Sequence, residues 1–154
     1  MTAVETCFLD TNVLLSACDE SRPAHERSSR LLEEALAGRR SLYASGQVFR
    51  EFLVVATRPV EANGLGMSAG DALANVTEFS RCIRLLDETE EVSRRLRNLV
   101  RQHKLQGKRI HDANIAATLL AHGLDRLVTD NPADYKVFTQ ITIHSPNTFH
   151  GETE

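Results

Sequence analysis

The fold is decided by residues 109–135, which read R-I-H-D-A-N-I-A-A-T-L-L-A-H-G-L-D-R-L-V-T-D-N-P-A-D-Y. Small residues at the centre predict a closely packed helix that has Asp112 at its entry and stops at Gly123. A short apolar strand then runs through Leu127 and Val128 into a turn rich in carboxylates. A strand that follows a short helix usually lies beside an earlier strand, so this turn is expected at the carboxyl edge of a sheet, where open α/β folds bind ligands.

An earlier strand ends in residues of the same kind. Residues 4–9 predict a short apolar strand of the type whose two faces are both covered in a parallel sheet. Asp10, Thr11 and Asn12 follow this strand directly. Because the carboxyl ends of parallel strands meet at one edge of the sheet, we expect Asp10 and Asp112 to lie close together.

The rest of the chain alternates between helices and strands. Helices are predicted at residues 24–37, 46–57, from residue 69 onwards and at 88–106, and further strands at residues 42–44, 83–86 and 141–144. Ser45 is expected to cap the second of these helices. The alternation predicts an α/β three-layer sandwich, in which helices flank a central, mainly parallel sheet of about five short strands. A length of 154 residues fits a single domain, residues 1–154.

The composition is ordinary for a soluble globular protein, with 42% hydrophobic and 25% charged residues. No apolar run is long enough to span a membrane, and the first residues lack the features of a signal peptide, so a cytoplasmic location is expected. Cys7, Cys18 and Cys82 lack C-x-x-C spacing, so they predict neither a disulfide framework nor a zinc site.

Positive charge is concentrated in one helix although the net charge is −3. No acidic residue lies between Glu91 and Asp112, an interval that holds seven of the 18 basic residues. Arg94, Arg97 and Arg101 are therefore candidate RNA-binding residues. The alternative is a surface helix with acids at its start and bases at its end, the distribution that the helix dipole favours.

Oxygen-bearing side chains from four segments are expected at the carboxyl edge of the sheet. They are Asp10, Glu51, Asp112 and the turn residues Asp130, Asn131 and Asp134. Crowded carboxylates repel one another unless a hard divalent cation neutralises them, and oxygen-only ligands favour Mg²⁺ or Mn²⁺ over zinc. A cation held in this way can activate water for phosphodiester hydrolysis, with Thr11 and Asn12 orienting the carboxylates or the phosphate.

Each acid also has a purely structural explanation. Asp10 can cap a short helix that follows it, and Asp112 lies in a first helical turn, where the helix dipole favours an acid. Glu51 can be a solvated residue that pairs with Arg58, and Asp130 belongs to an ordinary turn. Taken one at a time, the structural explanations are the simpler ones.

Four segments, in this order, resemble the PIN-domain family, and in particular its VapC-type ribonuclease toxins. F-L-D-T-N-V-L at residues 8–14 resembles the opening D-T-N motif, and residues 45–52 resemble the helix that carries a glutamate, here Glu51. D-A-N-I-A-A-T at residues 112–118 is similar to the family's D-A-x-I-A-A-T signature. L-V-T-D-N-P-A-D-Y at residues 127–135 is similar to its L-V-T-x-[ND]-x-x-D-F ending.

The resemblance implies a PIN-like fold and a Mg²⁺- or Mn²⁺-dependent endoribonuclease. Asp10 and Asp112 would be the principal metal ligands, and Glu51 a further ligand or a water-positioning base. The family often has an acid two residues after the threonine, where this chain has an asparagine. The fourth acidic position is assigned to Asp130, with Asn131 and Asp134 as the alternatives. Supporting roles in a second shell fall to Thr11, Asn12, Thr129 and Asn131.

The resemblance also implies partners: an RNA substrate, a small antitoxin protein whose tail blocks the acidic pocket, and a second copy of the chain in a homodimer. An alternative of a different class is a non-catalytic PIN-like protein that binds RNA or acts as a scaffold, which loss of the fourth acid would favour. A phosphotransferase with Asp10 as nucleophile would need an aspartate two residues later, where this chain has Asn12.

Overall fold

The computed structural model describes residues 5–147. Its strands are β1 (Glu5–Leu9), β2 (Arg40–Ser45), β3 (Ile83–Leu86), β4 (Arg126–Val128) and β5 (Thr142–His144). They form a five-stranded sheet in the order β3-β2-β1-β4-β5, and every pair of neighbours is parallel. The predicted α/β fold around a sheet of about five short strands is confirmed.

Helices connect the strands. They are α1 (Thr11–Ala17), α2 (His25–Leu36), α3 (Gly46–Thr57), α4 (Ala69–Ser80), α5 (Glu90–His103) and α6 (Arg109–Ala121), with 3-10 turns at Val60–Ala62 and Pro132–Tyr135. The crossovers from β1 to β2 and β3 run one way across the sheet, and the crossover from β3 to β4 runs back. Right-handed crossovers therefore place α1 to α4 on one face and α5 and α6 on the other. No helix within residues 5–147 is long and apolar enough to cross a membrane.

The central strand β1 is covered on both faces. Cys7, Phe8 and Leu9 are fully buried, as are Leu127 and Val128 of the neighbouring strand β4. These buried apolar side chains hold the two strands in register, with Phe8 opposite Leu127 and Leu9 opposite Val128. The residues that follow Leu9 and Val128 therefore emerge side by side at one edge of the sheet.

Two local predictions were wrong. The basic helix, predicted at residues 88–106, is shorter at both ends: the Thr89 side chain caps its start, and Lys104, with φ of +52°, ends it. Ser45 occupies the N-cap position of α3 but makes no capping hydrogen bond through its side chain. Ser45 is still the last residue of β2 and its side chain is buried. The predicted strand start at Val4 lies outside the described residues.

Candidate active site

Asp10 lies at the junction of β1 and α1 and is held by hydrogen bonds from both sides. Its Oδ1 accepts from the Thr11 backbone N–H at 2.8 Å, which makes it the N-cap of α1. Its Oδ2 accepts from the Thr129 hydroxyl at 2.8 Å and from the Tyr135 hydroxyl at 3.0 Å. The helix-cap explanation of Asp10 is therefore correct, and yet the carboxylate also joins the end of β1 to the turn after β4.

Ionisation of the Asp10 carboxyl is unfavourable at its buried position. Burial raises the pKa of this carboxyl, the donors Thr129, Thr11 and Tyr135 act against the rise, and the nearby charge of Glu51 adds to it. A buried carboxylate that is hydrogen-bonded but has no cationic partner among these contacts is electrostatically suited to a bound cation.

Glu51 faces the site from α3. Its Oε2 accepts from the Thr11 hydroxyl at 3.0 Å, and its Oε1 accepts from the Gln47 amide at 2.9 Å. The pairing with Arg58 that the sequence allowed is not among the ion pairs of the described residues. Hydrogen bonds from Thr11 and Gln47 thus orient both carboxylate oxygens, and the Glu51 side chain is not free in solvent.

Gln47 is a connecting residue that sequence reasoning missed. It is buried, and its amide nitrogen also donates to the His111 carbonyl at 3.0 Å. Its Oε1 accepts from the Asn114 side chain at 2.6 Å, and Asn114 also donates to Glu88. Gln47 therefore ties α3 to α6. Its position one turn before Glu51, on the same helical face, is the sequence signal that could have identified it.

Asp112 lies in the first turn of α6 and is half-buried. Burial and the negative charges of Asp10, Asp134 and Glu51 raise its pKa to about 6, and the Arg109 guanidinium acts in the opposite direction. Burial is the largest cause of the rise, and the contributions of Asp10, Asp134 and Glu51 indicate that the four carboxyl groups lie within electrostatic reach of one another. The effect of the Asp10 charge on the pKa of Asp112 supports the sequence hypothesis that these two residues lie close together.

The turn after β4 holds the three candidates for the fourth acidic position, Asp130, Asn131 and Asp134. The Asp130 backbone N–H donates to Asn12 Oδ1 at 2.9 Å, and the Asn131 N–H donates to the Thr129 hydroxyl at 3.1 Å. These bonds fix the turn against α1. Asp130 and Asp134 are both exposed, so exposure does not distinguish them. Asp134 follows in the 3-10 turn Pro132–Tyr135.

The acids line one pocket of about 450 Å³. Its lining consists of Asp10, Thr11, Asn12, Leu15, Glu51, Val54, Val55, Arg58, Lys108, Asp112, Asn131 and Asp134. Asn131 and Asp134 thus face the pocket, and Asp130 is not part of its lining. The structure brings together carboxylates from the β1–α1 junction, α3, α6 and the turn after β4.

The candidate RNA-binding arginines lie elsewhere. Arg97 and Arg101 line a second groove, of about 440 Å³, together with apolar residues of α5 and Ile110 of α6. The Arg97 guanidinium donates to the Ser93 carbonyl, and that of Arg101 to Asn98. The structure does not place these side chains, or Arg94, in the acidic pocket.

The donor set of the pocket fits a hard divalent cation, because carboxylate, amide and hydroxyl oxygens are the ligands that such ions prefer. Burial first, and neighbouring carboxylates second, raise the pKa values of Asp10 and Asp112, so a cation bound among these acids would favour their charged forms. Within residues 5–147, however, no three acidic, histidine or cysteine side chains are already gathered closely enough to hold a metal ion. Cation binding would therefore draw the carboxylates inward.

The fold and the site together define a class of α/β proteins, those with a parallel sheet and an acidic, oxygen-lined pocket at the carboxyl ends of the central strands. Within this class, the PIN domain profile matches residues 7–137, and the chain belongs to the PIN domain family. The resemblance of the four sequence motifs is thereby confirmed.

Two curated relatives are similar over most of the chain. Ribonuclease VapC24 of Mycobacterium tuberculosis is 29% identical over 151 residues, covering 93% of this chain and 98% of the relative. Ribonuclease VapC48 of the same organism is 26% identical over 139 residues, covering 89% and 94%. VapC ribonucleases of the PIN domain family generally depend on a divalent metal ion.

Solved structures agree with the fold. A DNA-bound VapBC from Salmonella typhimurium has a TM-score of 0.67 at 20% identity and covers 94% of this chain and 99% of its own. VapBC2 from Rickettsia felis, bound to a DNA fragment of its promoter, has a TM-score of 0.67 at 17% identity and covers 91% and 98%. At these identities, the likeness concerns the fold alone.

Proposed function

We propose that this chain is an endoribonuclease that hydrolyses RNA phosphodiester bonds with a divalent cation, and that it is the toxin of a VapBC-type toxin–antitoxin pair. The observation that carries the proposal is the convergence of Asp10, Glu51, Asp112 and Asp134 on one pocket. Membership of the PIN domain family and full-length similarity to ribonucleases named VapC support the same reaction.

Each acid has a proposed role. Asp10 and Asp112 are the principal metal ligands, because these two carboxyls have the raised pKa values that a cation would relieve. Asp134 takes the fourth acidic position in preference to Asp130, because Asp134 lines the pocket and Asp130 does not. The oxygen-only donor set favours Mg²⁺, with Mn²⁺ as the alternative.

The reaction is the addition of water to a phosphorus atom of RNA. The water oxygen bonds to phosphorus, one phosphorus–oxygen bond breaks, and the leaving ribose oxygen takes a proton. A bound divalent cation supplies stabilisation of the negative charge that develops on the phosphate. Glu51 is the group that orients the water and accepts its proton, and Thr11 and Gln47 hold its two oxygens in position.

The proposed partner is a small antitoxin protein. The support is the similarity of the fold to chains of solved VapBC and other toxin–antitoxin complexes. An antitoxin that covers the acidic pocket would block both the cation site and access for RNA. The homodimer implied by the family remains a prediction for the assembly.

The experiment is a two-part assay with the whole chain. Purified protein should cleave single-stranded RNA in Mg²⁺, lose this activity in EDTA and regain it when Mg²⁺ is added back. Expression in a bacterial host should arrest growth, and co-expression of the cognate antitoxin should relieve the arrest. RNA binding without cleavage at any Mg²⁺ or Mn²⁺ concentration would overturn the proposal and favour a non-catalytic RNA-binding protein.

A further inference from the structure

Two cationic side chains line the same pocket as the acids. Arg58 comes from the end of α3, and Lys108 from the residue that precedes α6. Neither takes part in the ion pairs of the described residues. The acids of the pocket do not neutralise them through direct contacts, so both cations can meet an anionic ligand.

The charges of the pocket indicate that this anionic ligand is the phosphate backbone of RNA. When all four carboxylates are ionised, they exceed the two cations by two negative charges, which one divalent cation would balance. The pocket would become neutral once this cation is bound, and an RNA strand would then enter it. Its phosphates still need positive groups that the carboxylates do not occupy, because phosphate contacts dominate the affinity of nucleic acids.

The backbone of Arg58 is held by the loop that follows it. The Arg58 carbonyl accepts from the Gly66 N–H at 2.9 Å, and the Leu65 N–H donates to the Val55 carbonyl at 3.1 Å. A Cβ atom at Gly64 would lie 2.0 Å from the Arg58 carbonyl oxygen, a distance that no side chain can adopt. The loop therefore requires glycine at residue 64 and fixes the point from which the Arg58 side chain extends.

Lys108 is placed by the start of α6. It precedes Asp112 by four residues, the spacing that puts two side chains on the same side of a helix. The neighbouring Arg109 is engaged differently, since its guanidinium donates to the Asp134 carbonyl at 3.2 Å. Lys108 thus stands at the mouth of the pocket on the α6 side, and Arg58 on the α3 side.

We propose that Arg58 and Lys108 are positioning residues that bind the RNA phosphates on the two sides of the scissile bond, one from α3 and one from α6. The inference rests on the proposed function and extends it, because it names the groups that align the strand over the carboxylates. It differs from the sequence hypothesis for α5, whose Arg97 and Arg101 face a separate groove.

The test measures RNA binding apart from cleavage. Arg58→Gln and Lys108→Gln are made in an Asp112→Asn background, and a labelled single-stranded RNA is titrated by fluorescence anisotropy at several salt concentrations. Arg50→Gln is the matched control, because Arg50 is exposed on α3 and outside the lining of the pocket. Each pocket variant should weaken binding about tenfold and reduce the slope of log K against log salt by about 0.7. The control should change neither.

The same substitutions in the otherwise wild-type chain separate binding from chemistry. Arg58→Gln and Lys108→Gln should raise KM, whereas the Mg²⁺ concentration for half-maximal thermal stabilisation should not rise, because removal of a positive charge from the pocket does not weaken its attraction for Mg²⁺. Binding and salt slopes equal to those of Arg50→Gln would overturn the inference and leave RNA cleavage by the wild type as support for the proposed function. Absence of cleavage by the wild type would overturn the proposed function, and the anisotropy result would still decide the roles of Arg58 and Lys108.

Discussion

The Tyr135 hydroxyl donates a 3.0 Å hydrogen bond to Oδ2 of Asp10, and both side chains are buried. With the Thr129 hydroxyl on the same oxygen and only the Thr11 N–H on Oδ1, the donors are unevenly divided between the two oxygens. The less occupied oxygen, Oδ1, is therefore the one available to a cation.

Tyr135→Phe should weaken Mg²⁺ binding about tenfold, since groups that orient a metal ligand commonly have effects of this size. The substitution keeps the ring and removes only the donor. Mg²⁺ affinity is measured by calorimetric titration, with Tyr43→Phe on β2 as the matched control. Equal affinities in the two variants would reduce Tyr135 to a packing residue.

The metal-free protein should become more stable as the pH falls from about 7 to about 5. Burial and neighbouring acids raise the pKa of Asp112 from 3.8 to about 6, so the folded state binds this proton more tightly than the unfolded state. The stabilisation is complete below the unfolded pKa and is lost as the pH rises through about 6. Buried Asp10, whose pKa is also raised, contributes in the same direction.

Thermal melts in EDTA check this prediction. Asp112→Asn cannot titrate at this position, so its melting temperature should rise less than that of the wild type over the same pH interval. A wild-type melting temperature that falls between pH 7 and 5 as much as that of the variant would show that the pKa of Asp112 is not raised in the folded chain.

Saturating Mg²⁺ should stabilise the wild type by about 2.7 kcal/mol at a hundredfold excess over Kd, which corresponds to roughly 5–10 °C for a chain of this size. Asp134→Asn should gain less, because Asp134 lines the pocket, and Asp130→Asn should gain as much as the wild type. Differential scanning calorimetry measures all three. The reverse ranking would return the fourth acidic position to Asp130.

Joint neutralisation of Arg94, Arg97 and Arg101 tests the basic helix. If α5 contacts RNA outside the pocket, the triple variant should lower the salt dependence of RNA binding by about 0.7 per lost contact. The fold should persist, because all three side chains are exposed. An unchanged slope would identify α5 as a surface helix whose charges match its dipole.

The sequence predicted the order of the elements, because apolar periodicity and the capping residues act locally. It also predicted that acids of four segments would share one edge, because strands such as β1 and β4 align their carboxyl ends. Gln47 and Tyr135 were missed because their bonds to His111 and Asp10 span 64 and 125 residues. The choice between Asp130 and Asp134 depends on a 3-10 turn whose direction no local pattern specifies.

The rate of RNA cleavage in saturating Mg²⁺, compared between Asp112→Asn and Asp130→Asn, tests the central claim most directly. Both substitutions remove one carboxylate and keep its shape, but only Asp112 lines the pocket. The account predicts that Asp112→Asn lowers the rate by at least about a hundredfold with a native circular dichroism spectrum, and that Asp130→Asn stays within about twofold of the wild type. Wild-type cleavage by Asp112→Asn would contradict the account.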